Sequence, residues 1–150
     1  WLPKNIPDDD ETTIVHGDYR LDNMILRNNE VIGILDWELS TLGHPIADFS
    51  YHCLSWRTQE AFWDEAKLKE LGIPSEKEYM EMYCKYSGKD LSKNWEFYMA
   101  FNMFKIAGIL QGILGRVRDG TAASKHAEER GNMVFPLSQA AWETIEDNFL

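Results

Sequence analysis

The sequence predicts an α+β fold with a mainly helical body, because two kinds of local pattern follow one another along its 150 residues. Short β-type runs separated by turn residues fill the first third of the chain, and helical patterns continue from about residue 45 onward. Strands followed by helices are typical of α+β domains. With 44% hydrophobic residues the chain is long enough to bury one core. We therefore predict a single domain over residues 1–150.

A β-hairpin is the main feature of the first third. Residues 24–26 and 31–35 read as two strands, joined by the turn residues Asn28 and Asn29, since Asn tolerates the left-handed backbone that tight turns need. A hairpin brings its two ends together, so Asp18, Asn23 and Asp36 should converge. Carboxylate and amide oxygens at such a point are ligands that suit Mg²⁺.

Helices are predicted after this hairpin, over residues 45–56, 59–71, 75–88, 92–117 and 124–150. Pro45 suits a first helical position after a loop over residues 40–45. Ser75 and Glu78 form a capping box, and Pro136 should break or kink the last helix. The run 92–117 is apolar on almost every side, which is typical of a buried helix, and Gly108, Gly112 and Gly115 would let a neighbouring backbone approach it closely. Asn102, Lys105 and Gln111 interrupt this run and argue against a membrane span.

Composition narrows the classes of function. A net charge of −10 argues against nucleic acid as a partner, because phosphate backbones need clusters of Lys and Arg. Cys53 and Cys84 form no disulfide framework or metal-ligand pattern, which favours a reducing intracellular compartment without indicating which organelle. The acidic lead-in over residues 1–11 should be exposed. The chain starts without Met and without a signal peptide, so we expect a piece of a longer protein.

The motif His16-x-Asp18-x-x-x-x-Asn23, followed by Asp36 beyond a hairpin, resembles the catalytic and metal-binding loops of protein-kinase-like phosphotransferases. HGD, with D-W-E in place of D-F-G, is similar to the aminoglycoside and choline phosphotransferase branch. The runs HGDYRLDN, GILDWELSTLGHPIADFSY and AGILQGILGRVRDGTAAS resemble the phosphotransferase domain attached to some acyl-CoA dehydrogenase-like proteins. This resemblance covers essentially the whole chain. It implies the C-terminal lobe of a kinase-like fold, with a catalytic hairpin on a helical core.

The resemblance also implies roles for the residues that match the motif, with ATP and Mg²⁺ as cofactors. Asp18 would orient the acceptor hydroxyl and take its proton, and Arg20 would neutralise charge on the transferred phosphoryl group. Asn23 and Asp36 would hold the Mg²⁺ that bridges the nucleotide phosphates. Glu38 would approach the metal or its water shell, or else face solvent. The alternative for Arg20 is an ion pair with the nearby Asp22.

Two further residues are expected to support the loop. His16 would hydrogen-bond beneath it, and Asp48 would hold its backbone amides from the start of a helix. The alternative for Asp48 is only a favourable place in the first helical turn. His44 and His52 do not have the spacing of a helical metal-binding pair with Asp48, so no metal cluster is predicted there.

These features predict a small-molecule kinase that transfers the γ-phosphoryl group of ATP to a hydroxyl. Twelve residues separate Asp36 from Asp48 with no A-P-E motif, which leaves little room for docking a protein substrate. Residues 100–117 carry no carboxylate, which disfavours a polycationic acceptor and, with the resemblance, favours a hydroxy acid or hydroxyacyl-CoA. The side chains expected to bind it are Trp95, Tyr98, Asn102, Gln111 and Arg116.

A non-catalytic kinase-like domain that binds a ligand or partner is the alternative function. The nucleotide-binding N-terminal lobe is expected upstream in the same protein, because no G-x-x-x-x-G-K-[ST] or G-x-G-x-x-G occurs here. The isolated chain is therefore expected to be inactive. A fused acyl-CoA dehydrogenase domain is the other expected partner.

Overall fold

A computed structural model of the chain describes residues 1–9, 11–58 and 65–149. It confirms an α+β fold with a mainly helical body. The strands are β1 (Thr13–Val15), β2 (Met24–Arg27), β3 (Glu30–Ile34) and β4 (Thr41–Gly43). The α-helices are α1 (Pro45–Cys53), α2 (Glu65–Glu70), α3 (Glu76–Ser87), α4 (Trp95–Arg118), α5 (Ala127–Gly131) and α6 (Val134–Phe149). Short 3₁₀ turns lie at Leu2–Lys4, Leu21–Asn23, Trp37–Leu39 and Leu54–Trp56.

The strands form two separate antiparallel pairs. The predicted hairpin is confirmed as β2 and β3, and Asn28 and Asn29 at its turn have φ of 52° and 62°, the left-handed values that the turn requires. The prediction of a loop over residues 40–45 is wrong, because β4 pairs with β1 and places Ile14 opposite Leu42. A three-residue strand whose partner is distant in sequence has too little periodicity to be recognised locally.

Helix α4 is the centre of the core and packs against α1, α5 and α6. Asn102 on α4 is 1% exposed, and its amide nitrogen donates to the Ala47 carbonyl at 2.9 Å and to the Ser50 hydroxyl at 2.8 Å. These bonds satisfy a buried polar side chain and hold α4 against α1. The largest side chains in this core are Ile46, Phe49, Leu54, Leu91, Trp95, Met99, Met103 and Leu137.

The prediction that α4 is buried all round is wrong for one face. Phe101, Phe104 and Ile109 are 38%, 64% and 49% exposed, although the opposite face lies in the core. By length and composition alone α4 would suffice for a membrane span, but its buried face packs on three other helices. Within the described part of the chain, no neighbouring backbone lies against its glycines: a Cβ at Gly108 would meet nothing within 4 Å.

The close helix contact instead lies at Gly131, where a Cβ would come within 2.4 Å of Leu114 side-chain atoms. We expect Gly131→Ala to lower the free energy of unfolding by about 1–3 kcal/mol, because Leu114 must leave its packed position. The matched control, Gly108→Ala, adds a Cβ into open space within a helix and should be neutral or stabilising by up to about 1 kcal/mol. Urea denaturation followed by circular dichroism measures both. Equal free energies of unfolding for the two variants would contradict the close packing of Gly131 in α5 against Leu114.

An ion-pair network fixes the turn after α1 to α3 and α4. Arg57 Nε donates to Glu76 at 2.8 and 2.9 Å, and Nη2 donates to Glu96 Oε1 at 2.9 Å. The Trp95 indole also donates to Glu76 at 2.9 Å. The predicted capping box at the start of α3 is confirmed by reciprocal bonds between Ser75 and Glu78. Of the predicted helix over residues 59–71, residues 59–64 lie outside the described part of the chain.

The last predicted helix is divided in two. Its break lies between α5 and α6, before Pro136, which occupies the first turn of α6, where its missing N–H costs little. The prediction of an exposed lead-in is wrong for Trp1, whose ring centroid lies 4.8 Å from that of Phe149 and 6.0 Å from that of Phe97. Trp1 therefore connects the start of the chain to α4 and α6.

The strands and the turn after β3 expose an apolar surface. Its members are each at least 42% exposed: Ile14, Ile25, Leu26, Val31, Ile32, Leu35, Trp37, Leu39 and Leu42. A concentration of exposed apolar side chains in one part of the chain is typical of a region that packs against another unit.

Candidate active site

The predicted catalytic loop runs from His16 to Asn23, between β1 and β2. His16 is 3% exposed; its Nδ1 accepts from the Asp18 amide at 3.2 Å, and its Nε2 lies 2.7 Å from the Leu35 carbonyl oxygen. With Nδ1 as the acceptor, Nε2 is the ring nitrogen that donates to Leu35. His16 thereby ties the loop to the end of β3, which is the supporting position expected of it.

Asp48, in the first turn of α1, accepts hydrogen bonds from the backbone amides of His16 and Gly17, the latter at 2.7 Å. Asp48 thus holds backbone amides of the loop, as expected. The contribution of Asp48 to activity stays a prediction. Gly17 has φ of 85°, and a Cβ there would lie 2.5 Å from the Leu39 carbonyl oxygen. Only glycine fits at this position, because both the backbone angle and the space exclude a side chain.

Asp18 is held on both carboxylate oxygens. The Tyr51 hydroxyl donates to Oδ1 at 2.6 Å, and the Asn23 amide nitrogen donates to Oδ2 at 3.0 Å and to the Asp18 carbonyl at 2.9 Å. Burial alone would raise the pKa of Asp18, but the bonds from Tyr51 and Asn23 and the charge of Arg20 outweigh it and lower that pKa. Asp18 is therefore a carboxylate at neutral pH, able to accept a proton.

Arg20 lies between two carboxylates. Its Nε is 3.6 Å from Asp18 Oδ2, and its Nη2 is 3.6 Å from Asp22 Oδ2. Arg20 therefore lies near Asp18, where its expected role would place it, and it also forms the alternative ion pair with Asp22. The side chain of Arg20 is 54% exposed, so its guanidinium can reorient toward a bound anion.

Asn23 and Asp36 are brought together by the backbone. The Leu35 amide donates to the Asn23 carbonyl at 2.8 Å, and Asp36 follows directly in a left-handed conformation with φ of 62°. Although Asp36 lies just beyond the apolar strand β3, its side chain is exposed. Glu38 is also exposed, in the 3₁₀ turn that follows.

The residues present fit Mg²⁺. Both hydrogen bonds of the Asn23 side chain use its nitrogen, so its amide oxygen, the atom that binds a metal, is not engaged by them. The exposed Asp36 carboxylate would supply a second oxygen ligand, and Glu38 follows in the next turn. No group of three His, Cys, Asp or Glu side chains suited to a metal occurs among the described residues. Mg²⁺ keeps several water ligands in proteins and also binds substrate phosphates, so a small set of protein donors such as this one would suffice.

The other polar residues named from the sequence do not join this site. His44 accepts from the Ile46 amide at 3.2 Å as the cap of α1 and stacks on Tyr98. His52 lies 3.3 Å from the Tyr19 carbonyl, and burial lowers its pKa. Both therefore have structural contacts rather than a place in a metal cluster.

The expected acceptor-binding residues on α4 are largely wrong. Trp95 and Asn102 are 3% and 1% exposed and belong to the core, and Tyr98 is half-buried against His44. Only Gln111 and Arg116 are exposed. Which face of α4 reaches the site depends on its packing against other helices, and the sequence of an almost uniformly apolar helix contains no signal for it.

Two residues at the site were not predicted. Tyr51 contacts Asp18, and Lys105 on α4 donates to the Gly17 carbonyl at 3.0 Å. Helical spacing would have found Tyr51, because it lies three residues after Asp48 and therefore on the same face of α1. Lys105 stands out as the single charged residue between positions 100 and 115, although the sequence does not indicate its partner.

Comparison with known proteins agrees with this geometry. A family model described as "Phosphotransferase enzyme family" matches residues 1–83. Acyl-CoA dehydrogenase family member 10 of Mus musculus is 43% identical over 95% of this chain, and family member 11 of Homo sapiens is 38% identical over 99%. The chain spans only 14% and 20% of those two proteins.

A solved structure shows the same fold. A protein from Ralstonia eutropha described as a "putative aminoglycoside phosphotransferase" is 48% identical and superposes with a TM-score of 0.86. The match covers 98% of this chain and 47% of that protein. The fold is therefore that of the kinase-like aminoglycoside phosphotransferases, and the chain belongs to the phosphotransferase enzyme family.

Proposed function

We propose that this chain forms the acceptor-side lobe of an ATP- and Mg²⁺-dependent kinase that phosphorylates a hydroxyl of a small molecule. The observation that carries the proposal is the placement of Asp18, whose backbone is held through its neighbours by Asp48 and whose carboxylate is held by Asn23 and Tyr51. A carboxylate fixed in this way, with the exposed Asp36 directly after the Leu35 amide that Asn23 binds, suits phosphoryl transfer to an alcohol.

The chemistry assigns one step to Asp18. The acceptor oxygen forms a bond to the γ-phosphorus, the bond from that phosphorus to the bridging oxygen breaks, and its electron pair leaves with ADP. The acceptor proton passes to the Asp18 carboxylate. Asn23 and Asp36 would hold Mg²⁺, whose positive charge would offset the charge on the phosphates. Arg20 contributes a second positive charge on the Asp18 side of the loop.

A nucleotide-binding lobe in the same protein would cover the exposed apolar surface of the strands and the turn after β3. Two observations support this. That surface includes Leu35 and Trp37, which flank Asp36, and the solved relative has about as much chain outside the matched region as within it. ATP would then lie between that lobe and Asp36. The position of the lobe is part of the proposal.

The acceptor class follows from the exposed face of α4 near the loop. Phe101 and Ile109 lie one turn on either side of Lys105, which contacts the catalytic loop, and Phe104 is exposed beside them. An apolar face with cations and no carboxylates suits an acceptor that has an acyl chain and an anionic group. A hydroxy acid or hydroxyacyl-CoA fits this description, and an aminoglycoside or choline does not.

We expect the full-length protein, supplied with Mg·ATP, to phosphorylate 3-hydroxybutyrate or 3-hydroxybutyryl-CoA faster than choline or kanamycin in direct competition. The physical reason is that a cationic acceptor meets Lys105 and Arg116 but no compensating carboxylate between residues 100 and 117. Mass spectrometry of the mixture measures each product. Faster transfer to kanamycin or choline would contradict the acceptor class. Tight binding of a tested compound without any transfer would favour the non-catalytic alternative.

A further inference from the structure

We propose that Tyr51 is a positioning residue for Asp18, and that its hydroxyl fixes the orientation of the carboxylate that receives the acceptor's proton. This inference rests on the proposed function. The observation behind it is the 2.6 Å hydrogen bond from the Tyr51 hydroxyl to Asp18 Oδ1, across 33 residues of sequence.

Helix α1 holds the catalytic loop at two points on the same face. Asp48 accepts from the amides of His16 and Gly17, which directly precede Asp18. One turn later, Tyr51 reaches the side chain of Asp18 itself. The backbone and the carboxylate are therefore both located relative to one rigid helix. Asn102 on α4 hydrogen-bonds to α1, so the helix that positions the loop is itself fixed to the core.

The contacts around Tyr51 make it a fixed donor. Burial, followed by the bond to Asp18, raises the pKa of its phenol, so the hydroxyl keeps its proton at any physiological pH. The ammonium group of Lys105 lies 5.2 Å from the centre of the Tyr51 ring and donates to the Gly17 carbonyl. A cation at this distance from the aromatic ring stabilises its position. Lys105 therefore holds both the loop and the residue that orients Asp18.

Orientation matters because a carboxylate rotates easily about its terminal torsion, which has broad energy wells. With Oδ1 bound by Tyr51 and Oδ2 bound by Asn23, the plane of the Asp18 carboxylate is defined from both sides. Without the Tyr51 bond, only the Oδ2 side is fixed. The acceptor hydroxyl then meets a carboxylate with a broader distribution of orientations, at the step where its oxygen bonds to phosphorus and its proton leaves.

The test is Tyr51→Phe in the full-length protein, which removes the hydroxyl and keeps the ring that packs near Lys105. With Mg·ATP and the fastest acceptor among 3-hydroxybutyrate, 3-hydroxybutyryl-CoA, choline and kanamycin, we expect kcat to fall about 10- to 100-fold. The KM of the acceptor and the Kd of Mg·ATP should change by less than about threefold, because neither ligand is bound by this hydroxyl. The matched control is Tyr79→Phe, which removes a phenol hydroxyl from a ring packed near His52 and Trp56. Its kcat should stay close to that of the wild type.

The outcomes separate the alternatives. A kcat equal to that of Tyr79→Phe would overturn the positioning role, and so would a rise in acceptor KM as large as the fall in kcat. An increase in kcat would show that Tyr51 restrains the basicity of Asp18 instead of orienting it, and loss of the native melting transition would show a purely structural role. Absence of transfer by the wild type to all four acceptors would instead contradict the proposed function.

Discussion

Replacement of Asp18 by Asn in the full-length protein is expected to lower kcat by about 10²- to 10⁴-fold, because the amide cannot take the acceptor's proton. The shape of the side chain is conserved, so the affinity for Mg·ATP should change little. The new NH₂ group must face Tyr51 or Asn23, both of which donate to Asp18, so the melting temperature should fall modestly. The wild-type residue is ionised across the neutral range, since its hydrogen bonds and Arg20 lower its pKa despite burial. The loss should therefore persist throughout that range of pH.

A matched control for this prediction is Asp22→Asn, which removes the same charge four residues later in the same loop. The Asp22 side chain is 78% exposed, and its Oδ2 lies 3.6 Å from Nη2 of Arg20. We expect its kcat to lie within about twofold of the wild type, since exposed ion pairs contribute little. Initial rates with saturating Mg·ATP and the preferred hydroxy acid or thioester measure both variants. Near-normal turnover in Asp18→Asn would remove Asp18 from its assigned role.

The features that the sequence predicted well depend on local chemistry. The Asn28-Asn29 turn defines the hairpin, because both positions require a left-handed backbone. The capping box at Ser75 fixes the start of α3, since the two residues that satisfy each other's backbone lie three apart. A hairpin also joins its ends by construction, which is why the backbone of Asn23 meets that of Leu35, next to Asp36.

The features that the sequence did not predict depend on partners distant in the chain. Strand β4 exists because Thr41–Gly43 pairs with β1, and nothing within those three residues shows it. Helix α4 carries apolar side chains all round, so only its packing against α1, α5 and α6 decides that Trp95 is buried and Phe104 is exposed. The acceptor-facing residues were misplaced for the same reason.

Tyr51 is a case in which the sequence contained a usable signal. Given an aspartate that braces the loop from the first turn of α1, the residue three positions later must face the same way. A tyrosine at that position is long enough to reach the Asp18 side chain, which Asp48 does not contact because it binds only backbone amides of the loop.

Replacement of Asp48 by Ala is expected to lower both stability and turnover, because it leaves the amides of His16 and Gly17 without an acceptor. Loss of two charge-assisted bonds should reduce the free energy of unfolding by about 2–4 kcal/mol. Because Asp18 follows Gly17 directly, the loop would no longer hold it against α1, and kcat should fall by about 10²-fold. Asp48→Asn keeps one acceptor oxygen but turns an NH₂ group toward the second amide, so its effects should be intermediate.

A control is needed here because a destabilised protein also loses activity. Ser50→Ala removes a buried hydroxyl that accepts from Asn102 between α1 and α4, away from the loop, and should cost about 1–2 kcal/mol with kcat nearly unchanged. Hydrogen exchange gives the direct readout: the His16 and Gly17 amides should lose protection in Asp48→Ala and keep it in Ser50→Ala. Full protection of both amides in Asp48→Ala would show that other groups hold the loop. Equal losses of kcat in the two variants would show that stability alone, and not the brace, limits turnover.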